Sequence, residues 1–155
     1  WARVIIISLM AGLLQVSLMG ALRIGGVVPN IALIVVVSQT IWGKASEALL
    51  SAVLLGLIID VASAGRFGLA TSSLVLISLL LVALYQLGLD ARPVLIRLAL
   101  VAGVTLVWGL LHVLALGAVH VTYLTTWRLL IGEVAINVVL AIPIGERVVR
   151  SGRPV

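Results

Sequence analysis

Few residues in this sequence could do chemistry, and the most informative is Asp60, a carboxylate set near the end of the apolar run Ala45 to Ala64. Left facing lipid, such a group costs on the order of 2–3 kcal/mol, so Asp60 needs a partner. Arg66 follows in the short segment Ser63-Ala64-Gly65-Arg66-Phe67-Gly68, where Gly65 and Gly68 let the chain turn tightly between two helices. An ion pair with Arg66, or capping of that loop, is the structural expectation. A proton relay is the functional one, and no second carboxylate lies at helical spacing to serve it. Further along, Glu133, Asn137 and Ala141 repeat at four-residue steps after Arg128. Asp60, Glu133, Arg66 and Arg128 are expected to form one polar cluster that ties together the helices bearing them.

Catalytic patterns are missing: the sequence has no H-E-x-x-H, no G-x-S-x-G elbow and no Walker A loop. His112, deep in the fifth apolar run, and His120, in the loop after it, have no carboxylate beside them, and the intramembrane His112 reads as a hydrogen-bonded packing residue before it reads as a ligand. Asp60 and Asp90 fall near opposite surfaces and cannot share a two-aspartate protease site. Cysteine is absent, which removes disulfides and thiolate metal sites. We expect no enzyme, no cofactor and no metal.

What the polar residues do not explain, the small ones do. Ala48, Ala52, Gly56, Asp60 and Ala64 recur every four residues, which aligns them on one helical face. Small side chains let two backbones approach, and in lipid that van der Waals contact replaces the hydrophobic drive between helices. Packing within the chain's own bundle is the first expectation, and docking of a partner's helix the second.

The elements that must carry these residues follow from composition. Of 155 residues, 63% are hydrophobic and 10% charged, against roughly 45–50% and about 25% in a soluble domain. A water-soluble core cannot absorb that excess, whereas a bilayer requires spans of about 20 apolar residues. Six runs qualify: Val4 to Leu22, Val27 to Trp42, Ala45 to Ala64, Leu69 to Leu89, Val94 to Leu116 and Trp127 to Ile144. The first is longer than the roughly 7–15 residues of a signal-peptide core, so it counts as a span. Continuous apolar runs of this length exclude barrel strands, and helices satisfy every backbone group within the lipid. The fold class is therefore an all-α polytopic membrane protein, six transmembrane helices in one domain. The second run, the shortest, is expected against other helices or thinned lipid, with Pro29 in its first turn.

Orientation follows from charge. With the first helix starting inside, the inner segments carry Arg3, Lys44, Arg92, Arg97, Arg147, Arg150 and Arg153, and the outer ones Arg23, Arg66 and Arg128. That bias puts both termini in the cytoplasm. The basic residues are scattered rather than clustered, which argues against nucleic acid. The stretch Gly145 to Val155 reads as a basic cytoplasmic tail suited to anionic headgroups.

The segments Pro29-Asn30-Ile31-Ala32-Leu33-Ile34, Gly56-Leu57-Ile58-Ile59-Asp60 and Gly65-Arg66-Phe67-Gly68-Leu69 resemble the bacterial rod-shape-determining membrane protein family MreD. In that family a Pro followed by Asp or Asn opens the second helix, and G-L-x-x-D leads into G-x-x-G-L. The resemblance covers about Pro29 to Leu69. Where the family often has glycines ahead of Gly56, this chain has Ser51 and Ala52. It implies a non-enzymatic scaffold subunit of the cell-elongation machinery in the bacterial inner membrane. Its implied partners are the single-span protein MreC and, through it or beside it, the MreB filament, RodA and a penicillin-binding transpeptidase. The family is also similar in fold to the S-components of energy-coupling-factor vitamin transporters, which supplies a second reading as an S-component-like bundle that binds a small molecule. S-components commonly dock through Ala-x-x-x-Ala on the first helix, where this chain has Ser8-x-x-x-Gly12.

Overall fold

The structure is a computed structural model that describes residues 1–21, 26–63, 67–90, 93–116 and 123–150, without the side chains of 18–20, 116, 123–126 and 144–150. Among the described residues the chain is all-helical: α1 (Ala2–Ala21), α2 (Ile31–Trp42), α3 (Ala45–Ala62), α4 (Leu69–Gln86), α5 (Val94–Leu116) and α6 (Tyr123–Arg150). Three of these, α3, α4 and α5, are long and apolar enough to cross a membrane. The outside of the bundle is as apolar as its core, with Met10 68%, Val61 75% and Leu95 81% exposed. A surface of this kind suits lipid and not water.

The short α2 is the axis. Every residue from Ile31 to Ile41 is buried, and α2 touches all five other helices. At about 1.5 Å per residue a 12-residue helix is about 18 Å long. Its apolar side chains meet protein all round, which is why so short a helix can be hydrophobic on every face. Around it, α3 packs against α1 and α4, and α5 packs against α4 and α6.

Helix boundaries correct the sequence reading at three places. α2 does not begin at Val27: the chain from Val27 to Asn30 is non-helical, and Pro29 lies before the helix rather than in its first turn. The reason is Asn30, whose side-chain oxygen accepts the Leu33 N–H at 3.1 Å and so sets the first turn one residue after itself. α4 stops at Gln86, short of Leu89. α6 continues to Arg150, past Pro143, so the expected tail is helical from Gly145 to Arg150. Arg97, counted among the charges of an inner segment, is only 5% exposed in the first turn of α5.

Candidate functional site

The break before α2 leaves backbone donors and acceptors inside the protein, where Asn30 and Ile31 are buried, and such backbone is tolerated only when other groups of the protein satisfy it. Gln15 of α1 supplies most of what is needed. Its amide nitrogen donates to the Pro29 carbonyl at 3.0 Å, and its oxygen accepts from Ile31 N at 2.6 Å and Ala32 N at 3.4 Å. The Asn30 side chain takes Leu33 N, and Asn137 of α6 accepts the Asn30 N–H at 2.8 Å. The first N–H groups of α2, which a helix cannot satisfy itself, are thus all paired. Asn137 then donates to Thr105 Oγ1 at 3.2 Å, and that hydroxyl donates to the Val101 carbonyl at 2.7 Å. A continuous chain of hydrogen bonds therefore joins α2, α5 and α6.

A second polar centre closes the α3–α4 turn. The two Asp60 oxygens accept from Ala70 N at 2.9 Å, Thr71 N at 3.0 Å and Thr71 Oγ1 at 2.6 Å. Asp60 thereby caps α4 from the end of α3, placing a negative charge at the positive end of that helix. Gly68, at the N-cap of α4, has φ of +92°, a conformation that favours glycine, and offers no side chain of its own for capping. Gly65 and Arg66, expected to turn the loop and pair with Asp60, lie outside the described residues.

The small-residue face holds the same helices at close range. Ala48 and Ala52 are fully buried, and a Cβ on Gly56 would fall 2.3 Å from Thr71 Cα, inside the α4 backbone. Ala64 lies outside the described residues. On its other side α3 meets α1: Ser8 Oγ donates to Ser51 Oγ at 3.0 Å, and a Cβ on Gly12 would come within 2.7 Å of Ile58 Cδ1. Ser8 and Gly12 therefore face inward, toward α3.

The expected four-residue cluster does not form among the described residues. α3 and α6 do not touch, because α2 and a cavity of about 440 Å³ separate them. Asp60 and Glu133 both line that cavity, while Arg128 is exposed on α6. His112 joins the lining with Nδ1 3.0 Å from the Trp108 carbonyl and its ring 4.1 Å from that of Trp108.

Sequence reasoning picked Asp60, Glu133, Asn137 and Asn30, and it missed Gln15, Thr71, Thr105 and Trp108. Gln15 carries a readable signal, being the one amide in the apolar stretch from Val4 to Leu22. Trp108 carries another, since it alone among the tryptophans falls in the middle of an apolar run. No family model matches the chain, and no curated protein or solved structure matches it.

Proposed function

We propose that this chain is a non-enzymatic scaffold subunit of the bacterial cell-elongation complex, similar to MreD, with six transmembrane helices and both termini in the cytoplasm. In that role it binds MreC and helps organise peptidoglycan synthesis by RodA and a penicillin-binding transpeptidase, with the MreB filament beneath. One observation carries the reading: the residues on which the resemblance rests are spent on architecture. Pro29 and Asn30 shape the start of α2, Gly56 admits α4, and Asp60 and Gly68 form its cap. A protein that acts by presenting helical surfaces needs rigid packing inside and apolar faces outside. Six crossings also suit the geometry of α2, since the four residues Val27–Asn30 can add up to about 13 Å to its roughly 18 Å.

A second reading, a substrate-binding subunit like the S-components, is favoured by the cavity, whose volume falls within the roughly 300–1,000 Å³ of small-molecule sites. Against it, the small residues of α1 that would serve as a docking face are turned onto α3. Purification of the tagged chain from its native membrane distinguishes the two. The scaffold reading expects MreC and RodA in the complex. Recovery with an ATPase module and a bound vitamin overturns it.

A further inference from the structure

The first turn of α5 holds a buried charge that the scaffold reading does not use. Arg97 is 5% exposed, and its buried Nε meets no hydrogen-bond acceptor among the described residues. It stands at the head of the inward stripe of its helix, where Val101, Val104 and Trp108 follow at helical spacing and are buried as well. A guanidinium is always charged, and a charge taken out of water without a partner is strongly disfavoured. The helix start beside it lacks acceptors too. Arg97 N bonds the Pro93 carbonyl at 3.1 Å, which leaves the N–H groups of Val94, Leu95 and Ile96 ahead of the intrahelical ladder. Pro93 has no side-chain acceptor to cap them, and the first turn contains no acidic residue. By contrast, the starts of α2 and α4 are capped by Asn30 and Asp60. Helical side chains lean toward the N-terminus of their own helix, and three residues of rise are only about 4.5 Å. The Arg97 guanidinium and the uncapped N–H groups therefore act on the same end of α5.

We propose that the start of α5 binds the phosphate of an anionic phospholipid. The phosphate oxygens accept from the Arg97 fork and from the first N–H groups of the helix, whose dipole adds positive potential at that end. Position favours a lipid over a dissolved anion. α5 is long and apolar enough to cross a membrane, so its first turn falls at one membrane surface, the level of lipid phosphates. Val94 and Leu95, 51% and 81% exposed, give apolar surface beside the charge for the acyl chains. A headgroup with its own ammonium would set a like charge next to Arg97, so the site takes a headgroup that is anionic overall, of the phosphatidylglycerol kind. The inference is independent of the scaffold reading and of which side of the membrane this end of α5 faces.

The test follows thermal unfolding of the full-length chain in uncharged detergent as short-chain phosphatidylglycerol, phosphatidylcholine or inorganic phosphate is added. Phosphatidylglycerol should protect at concentrations at least about tenfold lower than phosphatidylcholine, the scale of one charge-assisted hydrogen bond, and inorganic phosphate should not protect at those concentrations. Arg97→Leu should lose the preference. If Arg97→Leu does not fold, Arg97→Lys, which keeps the charge without the planar fork, should narrow it. Replacing Arg147, Arg150 and Arg153 by Gln should leave the preference in place; its loss there would assign the binding to the basic C-terminal stretch and overturn the proposal. Equal protection by the two lipids, equal protection by inorganic phosphate, or a preference untouched in the Arg97 variants also overturns it. So does a preference that emerges only in Glu146→Gln, since that carboxylate would then be the partner of Arg97.

Discussion

At the scale of single residues, the bundle depends on side chains that finish backbone hydrogen bonding where lipid cannot. Asp60→Ala would leave the N–H groups of Ala70 and Thr71 without their acceptor and should cost about 2–3 kcal/mol. Thr71→Ala removes only the hydroxyl donor and should cost about 1 kcal/mol. Reversible unfolding in mixed detergent micelles reads both, and an Asp60→Ala loss no greater than that of Thr71→Ala would mean that capping is not what the carboxylate does. Gln15→Leu and Asn137→Leu should each cost about 2–3 kcal/mol, because each orphans buried backbone at the start of α2. Since both act on one helix terminus, the double variant should cost less than the sum; strict additivity would count against a shared network. Asp60 was legible as a group in need of a partner because it is a lone charge in an apolar run. Its partners were not, because they are backbone N–H groups, which every residue but proline carries and no letter of the sequence marks.

At the scale of elements, close approach decides the packing. A methyl at Gly56 meets the Thr71 backbone, which cannot rotate away as a side chain would, so Gly56→Ala must push α3 and α4 apart. The same change at Gly103 meets nothing within 4 Å. Gly56→Ala should therefore destabilise by about 1–3 kcal/mol, whereas Gly103→Ala should be neutral or stabilise by up to about 1 kcal/mol through helix propensity. Equal effects in the same unfolding assay would remove the close-packing account of the α3 face. The alanine and glycine stripe could be read from sequence because period four survives in a straight helix. The start of α2 was misread because Val27 and Val28 continue the apolar run. Hydropathy extends through them, while the cap at Asn30 and the proline before it set the true boundary. The cavity left no trace in the sequence at all, since it depends on how far α3 and α6 diverge around α2.

At the scale of the whole molecule, the α3–α4 pair is the firmest element of topology, because both helices are long and apolar enough to cross and Asp60 at the end of α3 caps the start of α4. If the lysine and arginine bias sets orientation, Lys44 and Leu87 lie on the cytoplasmic side and Phe67 on the other. Phe67 is 71% exposed and Leu87 84%, and Lys44 is exposed as well, so each can carry a reporter without disturbing the core. The sequence contains no cysteine, so single variants Lys44→Cys, Phe67→Cys and Leu87→Cys have no background. A membrane-impermeant maleimide applied to intact cells with a permeable outer layer should label Phe67→Cys alone, and the other two should react only after the inner membrane is opened. Labelling of Leu87→Cys and Phe67→Cys from the same side would mean that α4 does not cross. The α3–α4 hairpin would then enter and leave the bilayer on one face, and the count of six crossings would fall with it.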